Sequence, residues 1–144
     1  MNNIVEIIKR GGLVIIPTDT VYGIIGDATN EDTIRRVFEI KKRDFNKPLL
    51  MLVNSVNMLE NYASNVSDLE YKIIDEYWPG PLTIVFRKND NVSDLLTARK
   101  DTIGVRYPNN KMLLDIISKV GRPLLSTSVN ISGNPNIIYV RKLC

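Results

Sequence analysis

Apolar and polar positions along this 144-residue chain follow two periods, and the switches between them mark out its elements. Ile4, Val5, Ile7 and Ile8 recur at helical spacing, and Gly11-Gly12 supplies the kind of stop a helix C-terminus favours. Leu13 to Ile16 is a short apolar run closed by Pro17, which predicts a buried strand followed by a loop. Asn30 is placed to cap a helix with Glu31 and Asp32 in its first turn and Ile34, Val37 and Phe38 on one face. Leu49 to Val53 carries no charge, as a strand covered on both faces would not. Ser67 and Glu70 match a capping box for a helix that turns Leu69, Ile73, Ile74 and Tyr77 inward. Trp78-Pro79-Gly80-Pro81 cannot continue that helix. Leu82 to Arg87 and Thr102 to Arg106 read as strands, Met112 to Val120 as a helix stopped at Gly121, and Leu124 to Thr127 as a last strand. No repeat or low-complexity linker interrupts the series. Strands interleaved with amphipathic helices predict one layered α/β domain over residues 1–144, with a strand order the pattern does not reveal.

Composition adds mainly exclusions. With 44% apolar and 24% charged residues the chain is of ordinary globular type. It contains no histidine, which removes Ser-His and Cys-His nucleophile pairs and His-ligated zinc. The lone cysteine is Cys144, so no internal disulfide or thiolate cluster can form, and a reducing, cytoplasmic setting is expected. The apolar runs are far shorter than the roughly 20 residues that span a bilayer. Met1 to Arg10 contains Glu6 and lacks the apolar stretch of a signal peptide, so no membrane role is expected and the sequons at Asn65, Asn91 and Asn130 are chance matches. The net charge is +3, but it is unevenly spread: residues 35–47 hold six basic and two acidic side chains, whereas residues 60–76 hold five acidic and one basic.

The Gly-rich phosphate loops and the G-x-S-x-G nucleophile turn are absent, so a nucleotide would have to be held by other means. Four polar segments lie at strand ends, where α/β domains bind ligands. Pro17 to Gly23 carries three hydroxyls and one carboxylate, the latter Asp19, and a single carboxylate makes no metal site. Lys41, Arg43 and Lys47 cluster between a helix and a strand; Arg grips phosphate oxygens as a fork and Lys acts as a point charge. Arg106 closes its strand with a fork suited to a substrate carboxylate. Ser126 to Gly133 leaves a strand with hydroxyls, a side-chain amide and backbone N–H groups able to meet an anion or a base edge.

Taken together, PTDTVYG (17–23), KKRDFNKPL (41–49), YWPGPLT (77–83), GVRYP (104–108) and STSVNISGNP (126–135) resemble the YrdC-like family of threonylcarbamoyl-AMP synthases, in order and interval, over nearly the whole chain. The resemblance implies a twisted α/β sheet with flanking helices and a basic concave groove. It implies a reaction joining L-threonine, bicarbonate or CO2, and ATP into threonylcarbamoyl-AMP and pyrophosphate, with Mg²⁺ accompanying the ATP. The product then serves a separate complex that modifies the adenosine beside the anticodon of ANN-reading tRNA. By the same resemblance Lys41 and Arg43 are the catalytic phosphate clamp. Lys47, Thr102, Ser128 and Asn136 are further ATP contacts, with Asn130 shaping its loop. Thr20, Arg106 and Ser126 form the threonine pocket. Leu52 stands where some members have a histidine that touches threonine. Family members continue beyond the region of Asn134-Pro135 with a segment that closes the site, and that segment is expected to be missing here. The competing reading is a non-catalytic module holding tRNA or double-stranded RNA by phosphate attraction; the chain shows no aromatic stacking stripe to favour it. A carbamoyl-adenylate domain of the hydrogenase-maturation kind is a third reading, without the acylphosphatase-like or zinc-finger segments that accompany it.

Overall fold

Helix ends fall where the sequence has its breakers. In the computed structural model, which describes residues 2–17, 22–41 and 48–129, α1 (Asn2–Lys9) is followed by Gly11 at φ 87°. The helix α5 (Lys111–Val120) is capped by Gly121 at φ 78°, left-handed backbone that a side chain would resist. Asn110 opens α5 by accepting from the Leu113 N–H at 3.1 Å. Asn30 does the same for α2 (Glu31–Lys41) by accepting from the Thr33 N–H, and Thr33 ties the helix to the Gly11 carbonyl. The capping box forms as expected at α4 (Asp68–Tyr77): Ser67 and Glu70 exchange hydrogen bonds at 2.8 and 3.1 Å. The inner face of α4 differs from expectation. Ile74 is buried and Ile73 packs beside it, but Leu69 is 67% exposed and Tyr77 is 52% exposed.

Among the described residues, six strands form one mixed sheet in the order β1-β2-β6-β3-β5-β4. They are β1 (Val14–Pro17), β2 (Tyr22–Asp27), β3 (Leu50–Leu52), β4 (Ile84–Arg87), β5 (Thr102–Arg106) and β6 (Leu124–Val129). All neighbours are antiparallel except β3 and β5. The pattern of apolar residues missed β2, which occupies a stretch that reads as a loop, and the short α3 (Val56–Glu60).

Alternation along each strand sorts side chains onto two faces. One face carries Ile15, Ile24, Leu125, Met51, Val105 and Phe86, and packs against Ile34, Val37 and Phe38 of α2, Leu59 of α3 and Ile74 of α4. Trp78 anchors the end of α4 to the same layer: its indole N–H donates to the Leu82 carbonyl at 2.8 Å, which identifies the Trp-Pro-Gly-Pro segment as a structural turn. The other face carries Val14, Ile16, Ile25, Leu52 and Leu124, and packs against Val5 and Ile8 of α1 and Leu113, Ile116, Ile117 and Val120 of α5. A buried aliphatic side chain is worth about 1.5–3 kcal/mol, so both layers contribute substantially to stability. The second layer, however, covers its face only in part.

Candidate functional site

The partly covered face holds the described site residues. Alternation puts Ser126 and Ser128 on the side of Leu124, and Thr102, Gly104 and Arg106 on the side opposite Ile103 and Val105. Register then places them relative to one another. Gly23 lies opposite Ser128, and Ile25 and Leu50 flank Ser126 on either side. Met51 pairs with Val105 in parallel, so Leu50 stands beside Gly104 one step earlier. Toward the Leu124 end the face is buried under α1 and α5; toward Ser128 it opens, with Ser126 half-buried and Ser128 and Thr102 exposed. Small and hydroxyl-bearing residues on three strands, with Leu50 between them on β3, therefore line a shelf. Strands lie about 4.8 Å apart and rise about 3.3 Å per residue, so the Ser126 and Arg106 Cα atoms are about 12 Å apart.

Arg106 is held from below. Thr83, just ahead of β4, falls opposite Arg106 in the antiparallel β4–β5 register, and its hydroxyl accepts from Nε at 3.2 Å and from Nη2 at 2.8 Å. The Arg106 carbonyl accepts from the Val53 N–H, which fixes the backbone of the same residue. Lys41, at the end of α2, arrives from the opposite face. Its Nζ donates to Thr127 Oγ1 at 2.9 Å and to the Ser128 carbonyl at 2.5 Å, so the cation sits at the same end of β6 as Ser128.

Of the residues singled out by sequence, the structure thus gathers Thr102, Ser126, Ser128 and Arg106 on one face and brings Lys41 to its rim. Arg106 lies four residues along β5 from Thr102, about 13 Å, so the two mark opposite ends of the shelf. Thr20, Arg43, Lys47, Asn130 and Asn136 lie outside the described residues. Leu52 is buried against α1 and α5. Thr83 was missed: its signal, the register opposite Arg106, requires knowing that β4 pairs with β5. Among the described residues no group of three or more Asp, Glu or Cys is placed to hold a metal ion, and no helix is long and apolar enough to cross a membrane. The groups with displaced pKa values lie elsewhere. Tyr62 is raised by burial and by the charge of Asp27, Tyr71 by its hydrogen bond to Glu60, and Asp94 is lowered by Lys88.

Comparison with known proteins identifies the family and the fold. The Sua5/YciO/YrdC family, described as "Telomere recombination", matches residues 6–144. The chain belongs to that family. Within the Sua5/YciO/YrdC family, a Methanocaldococcus jannaschii protein is 47% identical over 126 residues, covering 88% of this chain and 58% of the relative. The threonylcarbamoyl-AMP synthase of Klebsiella pneumoniae is 33% identical over 133 residues, covering 91% of this chain and 70% of the relative. The structure of Pyrococcus abyssi Sua5 complexed with L-threonine superposes with a TM-score of 0.84 at 36% identity, covering 90% of this chain and 38% of that one. The chain therefore spans 58% of the archaeal relative's length and 38% of the Pyrococcus structure's.

Proposed function

We propose that this chain is a threonylcarbamoyl-AMP synthase that lays an amino acid and a nucleotide along the open shelf of its sheet. The observation that carries the proposal is the placement of Arg106 and Ser126, both half-buried, on the same partly covered face, about 12 Å apart on either side of β3. The Pyrococcus relative was solved with L-threonine, which supports that class of ligand. Arg106 takes the threonine carboxylate, and Ser126 and Thr20 complete the pocket. Thr102, Ser128 and Asn136 contact the nucleotide, with Asn130 shaping its loop, while Lys41, Arg43 and Lys47 face the phosphates and give the groove its basic character.

The chemistry suits a chain without histidine. The threonine amine attacks the carbon of CO2, losing a proton to solvent and leaving a carbamate. A carbamate oxygen then attacks the α-phosphorus of ATP, and the bond to the bridging oxygen breaks as pyrophosphate departs. Catalysis is chiefly alignment of the two reactants and neutralisation of the leaving charge, tasks for fixed cations. Among the described residues the shelf offers hydroxyls and cations rather than carboxylates, a donor set that does not build a divalent-cation site. Mg²⁺ would therefore arrive as part of the ATP, and no step depends on a protein-held metal. The product would be consumed by the tRNA-modifying complex. Pyrophosphate release in the presence of ATP and bicarbonate tests the reading: release that requires L-threonine is expected. No threonine-dependent release, together with salt-sensitive binding of tRNA, would establish the RNA-binding module instead.

A further inference from the structure

The amino-acid end of the shelf depends on a residue that does not itself need to touch substrate. We infer that Thr83 is a positioning residue that sets the orientation of the Arg106 guanidinium, and so the affinity for the substrate carboxylate; this rests on the synthase reading above. A guanidinium binds a carboxylate well only when its fork is aimed, and a long side chain on an open sheet face loses affinity to rotamer freedom. Thr83 removes that freedom. Its hydroxyl takes two of the five donors of Arg106, Nε and one hydrogen of Nη2, while the remaining hydrogens stay available for a ligand.

The hydroxyl is itself oriented. The Thr83 methyl lies 3.5 Å from where a Cβ on Gly104 would sit, so that methyl stands beside the glycine at ordinary contact distance. As a β-branched residue Thr83 has few χ1 choices. Arg106 is fixed at both levels, its backbone carbonyl by Val53 and its side chain by Thr83.

The test is steady-state pyrophosphate release by wild-type protein, Thr83→Val and Thr83→Ser, with threonine and ATP varied separately. Valine keeps the shape and deletes the acceptor; serine keeps the acceptor. The expected result is a rise of about ten- to hundredfold in the threonine KM of Thr83→Val, the worth of a hydrogen bond to a charged group. The ATP KM should stay within about twofold of wild type, and Thr83→Ser should recover to within about threefold. In parallel, the NMR signal of the Arg106 Nε–H should exchange slowly with solvent in wild type and Thr83→Ser, and quickly in Thr83→Val. A threonine KM that stays put or falls in Thr83→Val, a serine variant as impaired as the valine one, or equal rises in both KM values each overturn the inference while leaving the synthase reading intact. If Thr83→Val does not fold, Thr83→Ser and Thr83→Ala are compared by the same readouts, and equal threonine KM values in those two overturn it. Wild-type protein without threonine-dependent release overturns the inference and the synthase reading together.

Discussion

Gly104→Ala separates what the fold requires from what the site requires. Gly104 lies in the middle of β5 on the shelf face, between Thr102 and Arg106. An added Cβ would meet Thr83 Cγ2 at 3.5 Å and Leu50 Cδ1 at 3.7 Å, ordinary van der Waals contacts. The folded state therefore accepts the methyl, and the unfolded chain loses freedom, a gain of about 0.4–1 kcal/mol. For a domain of this size that corresponds to a melting temperature higher by roughly 1–4 °C. The same methyl intrudes on the surface proposed to receive substrate. Overfilling a fitted site by one such group costs about 1–3 kcal/mol, or roughly five- to 150-fold in the threonine KM. Thermal unfolding and threonine-dependent pyrophosphate release on one preparation give both numbers. Gly26→Ala is the internal control: its Cβ would lie 2.6 Å from Leu13 Cδ2 and 2.8 Å from Thr33 Cγ2, inside the packed layer beneath α2, so it should lose about 1–3 kcal/mol of stability. A Gly104→Ala protein as stable as expected but with unchanged KM would mean that substrate does not use this face. One destabilised by more than about 1 kcal/mol would mean that the glycine serves the fold.

Three further outcomes are expected. Arg106→Lys should raise the threonine KM about tenfold or more, because a point charge replaces a fork that is already anchored at Thr83; an unchanged KM would place the carboxylate elsewhere. Arg122→Ala should lower the urea midpoint by the equivalent of about 1–3 kcal/mol. Asp27 is 1% exposed, and its Oδ2 would lose the 2.6 Å bond from Arg122 while Thr29 continues to serve only Oδ1. The half-exposed arginine keeps the cost below that of a fully buried pair, and an unaltered midpoint would refute the account. Tyr62 should titrate above its usual 10.0, because burial and the Asp27 charge both disfavour the phenolate. A raised folded-state pKa means that its contribution to stability is complete below the unfolded value and fades as pH climbs through the folded one. The phenolate absorbance missing from Tyr62→Phe measures this directly, and titration at or below 10.0 would contradict it.

Sequence legibility tracked how far each element serves packing alone. The helix caps at Asn30 and Ser67 and the stops at Gly11 and Gly121 were readable because their signals are local. β2 was not, because it carries two glycines for reasons outside strand propensity: Gly26 must admit Leu13 and Thr33, and Gly23 sits opposite Ser128 on the shelf. Leu69 matched a helical apolar stripe, yet nothing among the described residues covers that position. The candidate site residues were recognisable individually from residue type and motif. Their common face followed only from register: parallel pairing of β3 with β5 and antiparallel pairing of β3 with β6 bring Thr102, Arg106, Ser126 and Ser128 to one side. Thr83 illustrates the same limit, since its importance comes from a cross-strand neighbour 23 positions away in sequence.

The central claim is that this open face receives the amino acid, and a crystal structure of the protein soaked with L-threonine tests it most directly. The account predicts a threonine on the shelf, with its carboxylate on the free donors of Arg106 and Ser126 within reach. Threonine bound with Arg106 still facing solvent, or seated on the opposite side of the sheet, would contradict it.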